Sequence, residues 1–332
     1  MCDSWDANGY VLPDGSLGGV KVLRRETLYL GLNGNRVERF WDARRSYIYK
    51  PVGFPKTAGR EQWAARHLKP LLRGIRMPEI VASSDSGPRP PDGAVWIIYE
   101  DLGELSPPRN ADDVVTASGW AAEWHRLPLD LVPASFDGHT PKIREVTEAL
   151  AQDSALEERL VRAGAAHADR WAARLPELGR RLFLLDVVCH GDYYPGNIAM
   201  NFPEPVVLDW EFVHRNHPYW DLYCLMDITS FRYRKIRLGN RGRVRALKRY
   251  LDALSDKPAG LVHLSLAEFV DGYAVYAAVY SAWILGLIER DLASGRAARR
   301  PLERQWRETA GVLNDCLALL GPDGEKGECD LP

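Results

Sequence analysis

The sequence predicts an α+β protein built in two parts, a small antiparallel sheet followed by a larger, mainly helical region. Three observations predict it. Pieces rich in β-branched and aromatic residues, separated by turn residues, crowd positions 20–52, helical periodicity dominates beyond position 110, and two short apolar runs ending in polar residues interrupt the helices. A chain of 332 residues also exceeds what one core usually fills. The expected division is residues 1–100 and residues 101–332.

Element by element, ETLYLGL, RVERFW and RSYIYKPV read as three strands punctuated by Asn33-Gly34-Asn35. GREQWAARHLKPLL places Trp63, Leu68, Leu71 and Leu72 at helical spacing and ends near Gly74 and Pro78. AVWIIYEDLG is an apolar run stopping in acids and glycine, hence a buried strand that enters a connector. Helices are expected over Ala111 to Arg126, as one long segment from Ile143 to about Arg181, and near Arg241 to Leu254, Leu264 to Arg290 and Pro301 to Leu320. The most apolar stretch, Gly272 to Ile288, falls short of the ~20 residues a spanning helix needs and reads as a core helix.

Composition narrows the function classes. With 43 Lys and Arg against 45 Asp and Glu, the formal net charge of −2 gives no global field toward nucleic acid or anionic membrane. The five cysteines are widely spaced, without a C-x-x-C pair, and the N-terminal segment carries acid where a signal peptide carries base, so a cytoplasmic protein is expected.

Chemistry concentrates in two places. In HGDYYPGN, Asp192 lies two residues past His190 and five before Asn197; in VVLDWEF, Asp209 follows a β-branched run. Phosphoryl transfer asks for a carboxylate that orients the nucleophile, hard oxygen ligands for a divalent cation and positive charge over the phosphates. The first two are present here. Lys50, at the end of the third strand, supplies positive charge, and Glu61, eleven residues on, is placed to pair with it.

The order of lysine, glutamate, connector, H-x-D-x-x-x-x-N and aspartate resembles the protein-kinase-like fold, and the HGD form followed by DWE is similar to the aminoglycoside phosphotransferase and choline kinase family. The resemblance implies a bilobal fold, with an N-terminal nucleotide-binding lobe over 1–100 and a C-terminal catalytic and substrate-binding lobe over 101–332. It implies an ATP- or GTP-dependent, Mg²⁺-dependent transfer to a hydroxyl of a small molecule, aminoglycoside-like or choline-like, with antibiotic inactivation as one use. By that resemblance Asp192 orients or deprotonates the hydroxyl, Asn197 and Asp209 hold Mg²⁺, and Lys50, steadied by Glu61, contacts the α and β phosphates. The connector, including Glu100 and Leu102, offers backbone groups to the base. Asn33 and Gly34 lie in the phosphate-covering loop, and His190 and Asp221 brace the catalytic loop. The phosphate loop is no G-x-G-x-x-G, and Gly191 stands where protein kinases carry arginine, which argues against a protein substrate.

Other readings compete. A kinase-like protein that binds or assembles without catalysing would share the fold. The segment from Phe231 to Tyr250 holds nine basic residues, no acidic ones and interleaved aromatics, which suits either a nucleic-acid binder using positions 232–249 or an amphipathic helix with a solvated basic face. A third use of that arm is recognition of an anionic substrate or of the phosphates. Glu211 is a metal-shell group or a solvent-facing or capping one, a zinc reading of His214 and His217 is disfavoured because no cysteine ligand is nearby and magnesium already accounts for the site, and Asp227, Glu268 and Asp271 are candidates for an acidic surface facing a polyamine.

Overall fold

The computed structural model describes residues 9–31, 34–84, 95–138, 140–182, 185–254, 261, 264–295 and 298–321. The protein is made of two compact units, Met1–Pro107 with Asn197–Val213, and Pro108–Gly196 with His214–Pro332.

The first unit carries β1 (Arg24–Leu30), β2 (Arg36–Trp41), β3 (Ser46–Pro51), α1 (Arg60–His67), β4 (Ile80–Ser83) and β5 (Trp96–Glu100). The strands form one antiparallel sheet in the order β1-β2-β3-β5-β4. Alternation assigns its faces. Phe40, Tyr47, Tyr49 and Ile98 fill a core closed by Tyr10 and Leu17, with Phe40 stacked on Tyr47 at 5.3 Å between ring centroids. Because side chains repeat every second residue, Lys50 and its cross-strand neighbour Ile97 fall on the opposite face from Tyr49 and Ile98, together with Tyr99. β4 is a four-residue edge strand to which the sequence assigns no element, since IVAS is too short for alternation to show.

Helix α1 starts after Gly59, whose φ of 82° suits glycine. It passes into a 3-10 turn at Lys69–Leu71, where Pro70 lacks the N–H that would continue it. A hairpin of Ile198–Ala199 with Val206–Val207 belongs to this unit. Arg76 ties it to the sheet region, its N–H donating to the Pro205 carbonyl at 2.9 Å and its carbonyl accepting from the Val207 N–H at 3.0 Å.

The second unit is helical: α2 (Ala111–Trp120), α3 (Ala122–His125), α4 (Ile143–Ala151), α5 (Leu156–Arg162), α6 (Ala168–Arg181), α7 (Tyr219–Met226), α8 (Asn240–Ala253), α9 (Leu266–Ser294) and α10 (Arg299–Leu320). The single long helix expected from Ile143 to Arg181 is instead three. Asp153 turns the chain after α4 by accepting the Ala155 N–H at 3.0 Å, and Gly164, at φ 76°, turns it after α5. A two-stranded ladder pairs Val187–Cys189 with His214–Asn216.

Helix α9 is long and apolar enough to cross a membrane by composition, but its Phe269, Tyr273, Tyr276, Tyr280 and Leu285 are buried against its helical neighbours. It starts at a capping box, the Ser265 Oγ accepting from the Glu268 N–H at 3.2 Å and the Glu268 carboxylate accepting from the Ser265 N–H at 2.8 Å. At the end of α7, the buried Asp227 accepts two bonds from Arg243, at 2.9 and 2.8 Å, and one from the Tyr273 hydroxyl at 2.7 Å, with Lys235 3.1 Å away. Two cations around one buried carboxylate are stable only while it is present. Replacing Asp227 with alanine is expected to lower stability by about 3–5 kcal/mol, read as a fall in the urea midpoint at unchanged slope.

Candidate active site

In the first unit the Lys50 ammonium lies among three carboxylates. Its Nζ is 2.6 Å from Asp209 Oδ1, 3.1 Å from Glu61 Oε2 and 3.6 Å from Glu211 Oε2. β3 supplies the lysine, the first turn of α1 supplies Glu61, and the chain leaving the hairpin supplies Asp209 and Glu211. Asp209 has φ 64° and ψ 60°, a left-handed conformation that a residue other than glycine adopts at a cost of about 1 kcal/mol or more. The hairpin also carries Asn197, which directly precedes its first strand and accepts the Leu208 N–H at 2.8 Å through its backbone carbonyl. Hairpin closure thus ties Asn197 to the residue preceding Asp209.

Electrostatics follow from burial. Burial alone would lower the Lys50 ammonium, but Asp209, Glu61 and Glu211 outweigh it and hold it well above the usual lysine value. Burial pushes the Glu61 carboxyl up, against the pull of Lys50. Burial, then the Asp209 charge, pushes Glu211 up to about 8. Its Oε2 is buried without a hydrogen-bond partner. Ligand atoms of Glu61, Asp209 and Glu211 lie within 4.8 Å of one another, three carboxylates against one ammonium. That excess of hard oxygen donors, with one buried oxygen unsatisfied, suits a divalent cation of the Mg²⁺ or Ca²⁺ kind.

The second unit holds the turn at His190–Asp192 on a buried brace. Asp221, in the first turn of α7, accepts from the His190 N–H at 2.8 Å and the Gly191 N–H at 3.0 Å. It also accepts from the Trp124 indole at 2.8 Å and lies 3.1 Å from His125 Nε2. The Trp220 indole donates to the Gly191 carbonyl at 2.9 Å. Gly191 has φ 90°, so the turn before Asp192 requires the glycine that distinguishes HGD. His190 is buried, its Nδ1 accepting the Asp192 N–H at 3.2 Å, and Asp192 itself is partly exposed. His125, Cys189 and Asp221 also lie within ligand reach of one another, but hydrogen bonds already engage them as a brace.

Gly34 has φ 80° in the turn between β1 and β2, where the Gly31 N–H donates to the Asn35 carbonyl at 2.7 Å; Asn33 lies outside the described residues. The Glu100 N–H is taken by the Glu79 carbonyl at 3.0 Å and its carboxylate by Arg76 at 2.8 Å, so any backbone group it offers a base is not its N–H. Leu102 is partly buried in a turn that Arg39 holds through Asp101 and the Gly103 carbonyl. Glu211 is buried beside Lys50 rather than facing solvent. Neither His214 nor His217 joins a metal-capable trio among the described residues. Asp227 is fully buried and takes no part in an acidic surface, whereas Glu268, which caps α9, and Asp271 are exposed. One residue was missed in its main role: the Tyr99 hydroxyl donates to Glu61 Oε2 at 2.6 Å. The signal was the two-residue offset of Tyr99 from Ile97, across from Lys50.

Comparison with known proteins bears on the family and the fold. The family model described as the phosphotransferase enzyme family matches residues 29–264. No curated protein matches the sequence. Among solved structures, an amicoumacin kinase in complex with AMP-PNP, Ca²⁺ and Ami is similar at TM-score 0.59 and 14% identity, over 93% of this chain and 91% of that one. An aminoglycoside phosphotransferase from Alicyclobacillus acidocaldarius subsp. acidocaldarius is similar at TM-score 0.56 and 14% identity, over 91% of both chains. A choline/ethanolamine kinase family protein from Mesorhizobium loti gives TM-score 0.53 and 16% identity, over 91% of this chain and 90% of that one. These likenesses show the kinase-like fold expected from the sequence.

The Asp221 brace has a pH signature. Burial alone would raise its carboxyl, but the His125 hydrogen bond, the His125 and His190 imidazoles and the Trp124 indole hold it down at about 2, from 3.8. A carboxyl lowered on folding adds stability that is present above pH 3.8 and is lost as pH falls through about 2. Asp221→Asn is expected to lower stability at neutral pH and to flatten the pH dependence of the urea midpoint over that acid window.

Proposed function

The chain belongs to the phosphotransferase enzyme family, and on that premise we propose that it transfers the terminal phosphoryl group of a nucleoside triphosphate to a hydroxyl of a small molecule. One observation carries the reading: a lysine is held by a helix glutamate and by a strained aspartate, the latter on a hairpin that begins at Asn197, five residues after Asp192.

Each residue then has a physical task. Lys50 meets phosphate charge, and Glu61, itself bonded by Tyr99, fixes the direction of its ammonium. Asn197 and Asp209 would hold the divalent cation, with Glu211 beside them, and the bound cation would supply neutralisation of phosphate charge. Asp192 orients the acceptor hydroxyl and takes its proton as the oxygen attacks phosphorus, while His190, Gly191 and Asp221 keep the loop in shape. Asp209 pairs with Lys50 in the structure, so a bound cation would compete with the lysine for this aspartate and leave the ammonium free to meet phosphate.

Nucleotide and divalent cation are supported by this donor set and by the AMP-PNP and Ca²⁺ held by the similar amicoumacin kinase. The amino sugars and cholines expected from the resemblance, with antibiotic inactivation as one use, set the first acceptor panel, joined by nucleosides and macrolides.

Two outcomes are expected. Asp192→Asn should lower the turnover of any accepted substrate by about 10²–10⁴-fold while nucleotide binding persists, measured by ADP release and by calorimetry. A working Asp192→Asn enzyme would remove the general base, and a wild-type protein that binds Mg-nucleotide but phosphorylates no hydroxyl would favour the non-catalytic binding protein. Asp209→Asn should weaken Mg-nucleotide binding by at least about tenfold, read as loss of the thermal shift that Mg-ATP gives the wild type.

A further inference from the structure

The segment after α7 is an irregular loop fixed to the catalytic loop by stacking. Tyr233 lies flat on Tyr194, two residues past Asp192, with centroids 5.2 Å apart and planes 16° from parallel. A Cβ at Gly196 would sit 2.5 Å from the Tyr194 ring, so glycine there admits the ring at close range. The loop backbone is fixed by cations from elsewhere. Arg304 of α10 donates to the carbonyls of Ser230, Phe231 and Tyr233, at 3.2, 2.8 and 3.2 Å. Lys235 reaches the Ile236 carbonyl at 3.3 Å and pairs with Asp227 at 3.1 Å.

This divides the basic segment by task. Lys235 and Arg243 are internal braces, and Arg245 and Lys248 pair with Asp112 and Asp252. Arg232 and Arg234, which flank Tyr233, are exposed, as is Arg237, and Arg234 and Arg237 make no ion pair among the described residues. Asp227, one of the three acids considered for a polycationic acceptor, is instead buried as the counter-ion of Lys235 and Arg243. Bracing keeps the backbone that bears Arg232 and Arg234 fixed on either side of Tyr233, which stacks on the loop that carries Asp192.

We propose that the acceptor is an anionic hydroxyl compound, one bearing a carboxylate or a phosphate, whose charge is met by Arg232 and Arg234 beside the Tyr194–Tyr233 pair. The proposal rests on the phosphotransferase reading above. The acceptor hydroxyl oxygen bonds to the terminal phosphorus of the nucleoside triphosphate, the bond from that phosphorus to the bridging oxygen breaks, the nucleoside diphosphate leaves, and the hydroxyl proton goes to Asp192. Guanidinium groups suit such ligands because their paired donors match two oxygens of a carboxylate or phosphate.

The test offers the intact protein glycerate, gluconate and glucose 6-phosphate against choline, kanamycin and glycerol, following binding by calorimetry and turnover by ADP release with Mg-ATP. At least one anionic probe should bind and be phosphorylated, with choline and kanamycin at least about tenfold weaker. Arg232→Glu/Arg234→Glu should weaken that probe by at least about tenfold, and Arg232→Lys/Arg234→Lys should recover part of the loss, with melting temperatures that show both variants folded. Preference for choline or kanamycin, indifference of the anionic probe to charge reversal, or no binding by any anionic probe overturns the proposal. Phosphorylation of choline or kanamycin in preference to every anionic probe would do so while leaving the phosphotransferase reading intact. Charge-sensitive binding of an anionic probe without phosphate transfer would instead remove the phosphotransferase reading, and with it the acceptor role.

Discussion

The ammonium of Lys50 sets the terms for the sheet unit. Its nearest carboxylate, Asp209, is 159 positions away in sequence, so the pair forms only when β3, α1 and the hairpin near residue 200 are all in place. Each element answers to it. Alternation in β3 puts Lys50 on the face away from the aromatic core, the start of α1 brings Glu61, and the closed hairpin brings Asp209. A lone buried ammonium is costly, and three clustered carboxylates without a cation are costlier; only together do the groups tolerate burial. Around the one ammonium the carboxyl groups number three.

In the helical unit, α7 plays the corresponding part with two buried acids six positions apart. Asp221 at its start holds the backbone of His190 and Gly191, and Asp227 past its end holds Lys235 and Arg243. Eight residues thus fix one loop on each side. α7 is itself held by aromatic packing: Tyr219 on Phe269 at 4.8 Å, and Trp220 and Tyr223 on Tyr280 at 5.3 and 5.6 Å. Ring packing gives the helix a rigid seat, and the hydroxyls at its rim end on polar partners, as the Tyr219 hydroxyl does on the Phe269 carbonyl.

Much of this was legible in the sequence because its signals are periodic or ordered. Strands β2 and β3 alternate, α8 and α10 carry apolar stripes, and the order of Lys50, Glu61, Asp192, Asn197 and Asp209 cannot be produced by period alone. What escaped depended on register and termination. β4 has four residues, too few for a period. The break at Asp153 needs a side chain to accept a backbone N–H, and Asp is common in helices too. Whether Glu211 faces Lys50 or solvent follows from the left-handed turn at Asp209, and no local pattern announces that turn. The basic segment looked like a uniform face because composition does not distinguish a buried arginine such as Arg243 from an exposed one such as Arg234.

Backbone strain separates what holds the fold from what serves the chemistry. Gly191 and Asp209 both take positive φ, 90° and 64°. At the first, glycine relieves the strain and the turn is free to serve the brace on Asp221. At the second, glycine would relieve it equally well, yet the position carries a carboxylate that must face Lys50. His167 is the other described non-glycine residue with positive φ, and it directly precedes α6. A residue that costs backbone energy, and whose side chain then enters an acid-rich cluster, is better explained by what that side chain must touch than by stability.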